Sequence, residues 1–295
     1  MSPAAVWIRT PAELAGLARE LAGAPAIALD TEADSLHHYP ERLCLVQVAD
    51  AAGRGFLVDP MTLPDLAPLG PVCAARTTLK VFHSAENDLT HLKRRGLGFA
   101  HISDTMLAAR FLGIRELGLD ALLERYLGIP ALASQQKADW ARRPLTPAQE
   151  AYAVQDVRHL IGLHERLLAE LRADGREAWL AEECEALAAL PVPERPVDED
   201  GYRRLRGASR LDPRGLAVLR SLHAQREAWA RAERRPPFKV LNPETLVALA
   251  VTRPRDRAGL AGITGLSPRL VERYGPGILD AVARGLAAPI GDVRR

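Results

Sequence analysis

Asp30-Thr31-Glu32 follows directly on the apolar run Ala26-Ile27-Ala28-Leu29. Such a run reads as a buried strand, and a D-x-E at its end puts both carboxylates on the same side, where they can share a hard cation. In a chain with 37 acidic residues that spacing also arises by chance, so the match alone is weak. The setting adds weight, because carboxylates beside an apolar strand are costly to hold without a metal. Tyr152 and Asp156 stand four apart on a strongly signalled helix, which stacks them on one face. One helix can then give a carboxylate to a metal and a phenol to whatever the metal activates. A core Tyr and an ion-paired surface Asp would give the same spacing, and Asp88, five residues after His83, is unremarkable by itself. The three segments count because they occur together and in order.

The elements that would position these residues can be read in turn. A helix is expected over Pro11 to Leu21, and strands over 26–29, Leu43-Cys44-Leu45-Val46-Gln47-Val48 and Gly55-Phe56-Leu57-Val58, with Asp50 and Gly53 as turn residues. Leu79-Lys80-Val81-Phe82 is a fourth strand, after which Ser84 starts a helix running to Lys93. Helices follow over Thr105 to Leu112 behind an Asp104 N-cap, and over Leu119 to Leu127 ahead of Gly128. Thr146-Pro147-Ala148-Gln149 opens another with a capping box, and its pattern runs on towards Leu171. Strands first and helices later imply an α/β fold, a mixed sheet with helices on its faces. Pro191-Val192-Pro193-Glu194-Arg195-Pro196 and Asp198-Glu199-Asp200 read as a linker. Beyond it Pro213 to Arg234 is a long amphipathic helix, and Asn242-Pro243 and Ser267-Pro268 start shorter ones, which makes a small all-α bundle.

Charge divides at the same place. Residues 1–200 hold 20 Lys+Arg and 29 Asp+Glu, a balance of −9, whereas residues 201–295 come to +11. The C-terminal third is expected to bind a polyanion. No stretch approaches the ~20 apolar residues of a membrane span, and the opening residues do not resemble a signal peptide. Cys44, Cys73 and Cys184 fit neither a disulfide framework nor a zinc site and read as thiols in a reducing compartment, so a cytoplasmic protein is expected. Other candidates have structural accounts: His37-His38 a polar loop, His159 and His164 different helix faces, Asp104 a cap, Trp140 the core.

The ordered set resembles the ribonuclease D family. Ala28-Leu29-Asp30-Thr31-Glu32 with Tyr39-Pro40 and Leu43-Cys44-Leu45-Val46-Gln47 is similar to its first exonuclease motif. Lys80-Val81-Phe82-His83, Asp88-Leu89 and Asp104-Thr105 are similar to the second, and Asp139-Trp140, Arg143-Pro144-Leu145, Tyr152-Ala153 and Asp156-Val157 to the third. The resemblance spans roughly residues 20 to 170. It implies a ribonuclease-H-like fold in which Asp30, Glu32, Asp88 and Asp156 are metal ligands. Related exonucleases carry either a Tyr four residues before the last Asp or a His five before it. Tyr152 and Ala151 put this chain on the tyrosine side. Leu216 to Arg220, Trp229, Pro237-Phe238-Lys239-Val240-Leu241 and Leu246 to Ala250 resemble the HRDC domain shared with RecQ-type helicases, which binds nucleic acid without chemistry of its own. The implied organisation is an exonuclease domain over 1–190, a linker over 191–205 and an HRDC-like domain over 206–295. Ala33 departs from the bulky aromatic usual after D-x-E.

The expected reaction is removal of nucleotides from single-stranded RNA 3′ ends, transfer-RNA precursors among them, by hydrolysis with two Mg²⁺ ions, Mn²⁺ being the alternative. Two cations roughly 3.5–4 Å apart lower the pKa of the attacking water and steady the leaving oxygen. In that scheme Asp30 bridges both ions, Glu32 and Asp156 complete the nucleophile-side ion, Asp88 supports the other, and Tyr152 orients the water. The rivals are a DNA 3′-to-5′ exonuclease of the proofreading or helicase-associated kind, and a nucleic-acid-binding protein that has lost activity. Oligomeric state is left open.

Overall fold

In the computed structural model the described residues are 5–192 and 200–289. Residues 193–199, within the linker expected over 191–205, lie outside them. Two compact units are present: the described residues up to Asp34 together with Leu43 to Val192, and Ser35–Arg42 together with residues 200–289.

The first unit is built on a six-stranded mixed sheet. Its strands are β1 (Val6–Ile8), β2 (Ala26–Ala33), β3 (Leu43–Asp50), β4 (Gly55–Val58), β5 (Leu79–Phe82) and β6 (Ile102–Asp104), in the order β1-β4-β3-β2-β5-β6. The pairs β2–β3 and β3–β4 are antiparallel, whereas β1–β4, β2–β5 and β5–β6 are parallel. All eight β3 residues are buried, as befits a strand covered on both faces. The helices are α1 (Pro11–Leu21), α2 (Gly70–Ala74), α3 (Glu86–Lys93), α4 (Thr105–Phe111), α5 (Leu119–Leu127), α6 (Pro147–Arg158), α7 (Leu160–Ala173) and α8 (Glu177–Ala189). Capping boxes at Thr10/Glu13 and Thr146/Gln149 fix the starts of α1 and α6, each with Pro in the first turn. Helix α7 buries Leu160, Leu163, Leu167 and Leu171 in one stripe, and losing such a side chain to Ala costs about 2–5 kcal/mol.

The second unit is all-α: α9 (Pro213–Glu233), α10 (Pro237–Val240), α11 (Pro243–Thr252) and α12 (Pro268–Ala287). Asp212, Asn242 and Ser267 cap α9, α11 and α12 through their side chains, each ahead of a Pro. Leu219, Leu222, Leu246, Leu249 and Ile278 lie in its core. Close approach of α12 to α9 requires Gly285, where a Cβ would come within 2.4 Å of the Val218 backbone. Tyr39, in the segment that groups with this unit, donates its hydroxyl proton to Glu227 at 2.6 Å.

Several expectations are corrected. The strand that begins at Ala26 does not end before Asp30 but continues to Ala33, paired with β3 throughout, with an irregularity between Glu32 and Ala33. Helix α3 starts at Glu86 rather than Ser84. Ser84 has φ +61°, and the N–H groups of Ser84 and Ala85 donate to the Asp104 carboxylate instead of facing solvent as a helix start. The long pattern from Pro147 towards Leu171 is two helices, interrupted at His159 with φ −109° and ψ −1°. Helix α12, expected to be short, has 20 residues and accommodates Pro276 within it. The edge strands β1 and β6 are three residues each, too short to announce themselves by periodicity.

Candidate active site

Strand β2 is central, between β3 and β5. Its parallel pairing with β5 stops at Ala28–Val81, while its antiparallel pairing with β3 carries on past Glu32. From Asp30 onward one side of the strand is therefore released from the ladder. Asp30 and Glu32, two apart on an extended strand, project from the same face.

Helix α6 supplies the facing group. It lies so close to β4 that a Cβ on Gly55 would meet Val154 Cγ1 at 2.8 Å, so the glycine sets the helix height. The preceding segment is anchored by Arg143, whose guanidinium pairs with Asp59 through Nε–Oδ2 at 2.7 Å and Nη2–Oδ1 at 2.9 Å, and donates to the Cys44 carbonyl at 2.7 Å. Trp140 is buried, as expected, and its ring sits 6.3 Å from that of Tyr152. The result brings carboxylate oxygens of Asp30, Glu32 and Asp156 within 4.8 Å of one another. The Tyr152 hydroxyl faces Asp156, one turn further along α6, and favours its charged form.

Asp88, on α3, stands beside this group rather than in it. Its Oδ1 accepts from the Thr31 hydroxyl, and it is close enough to Asp30 for their charges to repel. Asp30 is held by Gln47, its cross-strand neighbour, which donates from Nε2 to Oδ2 at 3.0 Å. Gln47 is fully buried, and its Oε1 has no partner.

Burial and mutual repulsion dominate the electrostatics. Burial pushes Asp30 up to about 7. Burial, then Asp30, Asp156 and Asp88, push Glu32 up to about 10. Burial, then Asp30 and Asp120, raise Asp156 to about 8, and burial followed by Asp30 raises Asp88. Tyr152 is pushed up by burial and by Asp156 and Glu32, which keeps its phenol protonated. Crowded carboxylates of this kind are relieved by a divalent cation, and an all-oxygen donor set suits a hard ion. The residues therefore fit a metal centre.

The sequence did not assign roles to Gln47, Thr31 or Asp120. Gln47 was visible only as part of a strand, since its position opposite Asp30 depends on the β2–β3 register. Asp120, in the first turn of α5, raises the pKa of Asp156 and Tyr152 from a helix whose pattern carried no chemical signal. Asp104 is the cap expected, accepting from Met106 and Leu107 as well as from Ser84 and Ala85. His164 is a buried core histidine against Ser103.

Residues 5–172 match a protein family described as 3′-5′ exonuclease, and residues 215–282 match the HRDC domain. Ribonuclease D of Pseudomonas paraeruginosa is 36% identical over 290 residues, covering 98% of this chain and 76% of the relative. Ribonuclease D of Gluconacetobacter diazotrophicus is 36% identical, covering 99% and 75%. Among solved structures, Escherichia coli RNase D, an exoribonuclease involved in structured RNA processing, superposes with a TM-score of 0.80 at 30% identity, over 97% of this chain and 76% of that one. The catalytic core of RRP6 from Trypanosoma brucei shares the fold, with a TM-score of 0.83 at 23% identity over 97% and 80%. With identity running through both units, this chain belongs to the ribonuclease D family of 3′-5′ exoribonucleases.

Proposed function

We propose that this exoribonuclease trims single-stranded 3′ extensions from structured RNA precursors, transfer-RNA precursors among them. Asp30, Glu32, Asp88 and Asp156 would hold two Mg²⁺ ions, with Mn²⁺ as the alternative, and Tyr152 acts on the nucleophile. The observation that carries this reading is the convergence of three carboxylates within 4.8 Å, with burial holding them near or above neutral pKa. When bound, the cations would activate water and neutralise the phosphodiester. The chain's own residues do the placing. Gln47 occupies one oxygen of Asp30 and leaves the other for a cation, Thr31 orients Asp88, and Tyr152 presents a protonated hydroxyl beside Asp156. Residues 1–190 would carry the chemistry. Residues 206–295, within the third whose charge balance is +11, would carry affinity for the phosphate backbone.

The test is incubation of the protein with a 3′-extended RNA and a matched DNA, with and without Mg²⁺, resolving products to the nucleotide. Stepwise shortening of the RNA from its 3′ end, released as mononucleotides only when metal is present, is expected. Internal cuts, metal-independent cleavage or preference for DNA would each overturn a named part of the reading.

A further inference from the structure

Two buried groups in the sheet unit have hydrogen-bonding capacity to spare. Gln47 is fully buried and Trp140 is 1% exposed, yet Gln47 Oε1 and Trp140 Nε1 have no partner among the described residues. A polar atom shut away from solvent without a partner costs free energy, so native proteins rarely leave one bare. These two are of opposite kind. The carboxamide oxygen only accepts, and the indole N–H only donates.

They also belong to one layer. Asp30 on β2 and Leu57 on β4 are the cross-strand neighbours of Gln47, and Leu45 lies two residues before it on β3, so these side chains share one face of the sheet. Trp140 packs in one cluster with Leu45, Leu57 and Tyr152, which sets the indole over the residues that flank Gln47. The segment that carries it is pinned to the same strand. Arg143 donates to the Trp140 carbonyl at 2.8 Å and to the Cys44 carbonyl on β3 at 2.7 Å.

We infer that Trp140 Nε1 and Gln47 Oε1 hold one buried water between them, and that through it Trp140 is a positioning residue for Asp30. The inference rests on the exoribonuclease reading and adds to it the group that orients one of its carboxylates. The water accepts from the indole and donates to the carboxamide, the kind of bridge that buried waters make between otherwise unsatisfied groups. A carboxamide has a donor end and an acceptor end, and the surrounding network decides which way it is turned. Because an indole never accepts, the chain runs in one direction. The oxygen of Gln47 is kept towards Trp140, and its NH2 towards Asp30 Oδ2 at 3.0 Å. A carboxamide turned the other way would set its oxygen against a carboxylate. Asp30 thus keeps one orientation, with Oδ1 left for a cation. The packing of the indole on Tyr152, with ring centroids 6.3 Å apart, is a separate contact that a phenyl ring can still make.

The experiment uses the full chain with isotopically labelled tryptophan, first without metal or RNA. The Trp140 indole N–H, recognised by its loss in Trp140→Phe, should show a nuclear Overhauser cross-peak to a long-lived water while its own proton exchanges slowly. Gln47→Met, close in shape but without the carboxamide, should remove that cross-peak. Hydrolysis of a short single-stranded RNA comes second. Trp140→Phe should lower kcat about tenfold at nearly constant KM, and Mg²⁺ affinity, read from the Tm increase without RNA, should weaken about tenfold. Gln47→Met should lose at least as much. The double variant Trp140→Phe/Gln47→Met should be no worse than Gln47→Met, because Trp140 acts through Gln47. No water cross-peak in the parent, its survival in Gln47→Met, or losses that multiply in the double variant would each overturn the inference, the last by assigning Trp140 to Tyr152 packing. Should Trp140→Phe loosen the fold, Gln47→Met leaves the indole in place and the water signal decides. A chain with the expected water signal that shortens no RNA contradicts the exonuclease reading alone, whereas a chain that digests RNA and lacks the signal contradicts the buried water alone.

Discussion

The acids crowded together in the exonuclease unit and the acids paired with cations in the helical unit are treated in opposite ways. In the exonuclease unit Asp30, Glu32, Asp88 and Asp156 are surrounded by one another, and burial with mutual repulsion pushes all four upward. In the helical unit Glu233 is also pulled upward by burial, but the Tyr274 hydroxyl, Arg273 and Arg235 outweigh this and hold it below its ordinary value. Glu227 likewise has Arg226 at 3.0 Å and the Tyr39 hydroxyl as partners. Burial of a carboxylate therefore says little about its role; the company it keeps says more. A paired acid completes a fold, whereas a group of acids facing each other is poised for a cation that the fold itself does not supply.

That contrast can be broken most directly by removing one member of the crowded group. Asp30→Asn or Asp156→Asn should take RNA hydrolysis below detection while leaving circular dichroism unchanged. Near-normal turnover in either at saturating Mg²⁺ would falsify the assignment of these carboxylates to one metal centre. Next in size is Tyr152→Phe, which keeps the ring and loses the hydroxyl. A fall in kcat of about 10²-fold with KM nearly constant is expected. A raised KM at unchanged kcat would move Tyr152 to substrate holding.

Stability measurements sharpen the comparison further, because the two units should respond with opposite signs. Without metal, Asp30→Asn should raise Tm by a few degrees by relieving repulsion, and it should blunt the Tm increase that Mg²⁺ gives the parent protein. Glu233→Gln should instead lower Tm, by about 2–4 °C for a loss near 1 kcal/mol, since it removes charge from Arg235 and Arg273. Adding Mg²⁺ should not restore it. Matching signs in the two variants would erase the distinction drawn above.

The smallest effect expected concerns His164, which burial pushes down to about 4. A histidine depressed in the folded state contributes stability that is present above its unfolded value near 6.5 and is lost as pH falls towards 4. Tm should therefore decline over that window, and the decline should be shallower in His164→Gln. A parallel decline in the variant would assign the acid sensitivity to other groups.

Much of this architecture was legible because its signals are local. Thr146-Pro147-Ala148-Gln149 specifies a helix start within four residues, and the Tyr152–Asp156 offset then needs only helical geometry to set the phenol beside the carboxylate. The same holds for Asn242 and Ser267 in the helical unit. What escaped depends on pairing across distance. That β2 continues through Asp30 follows from its ladder with β3, and that Gln47 faces Asp30 follows from its register; neither is encoded in the hydrophobic pattern. Asp88 meets Thr31 across 57 residues, and Tyr39 meets Glu227 across 188. The break at His159 was hidden because apolar residues keep helical spacing across it.

Asp104 has a consequence of another kind. Its carboxylate accepts from four peptide N–H groups, those of Ser84, Ala85, Met106 and Leu107, at 2.8–3.3 Å. Two of these lie in the turn ahead of the helix that bears Asp88, and two in the first turn of α4. The chain has replaced a hydration shell with its own amides, and in doing so has riveted two reversals to one anion. Those four amides belong to no strand ladder or helix interior, yet they should exchange with deuterium as slowly as core amides and with a common rate, because none can open while the others hold. Asp104→Asn, whose amide group leaves one acceptor oxygen, should split the set, freeing some sites to exchange early while the others stay shielded.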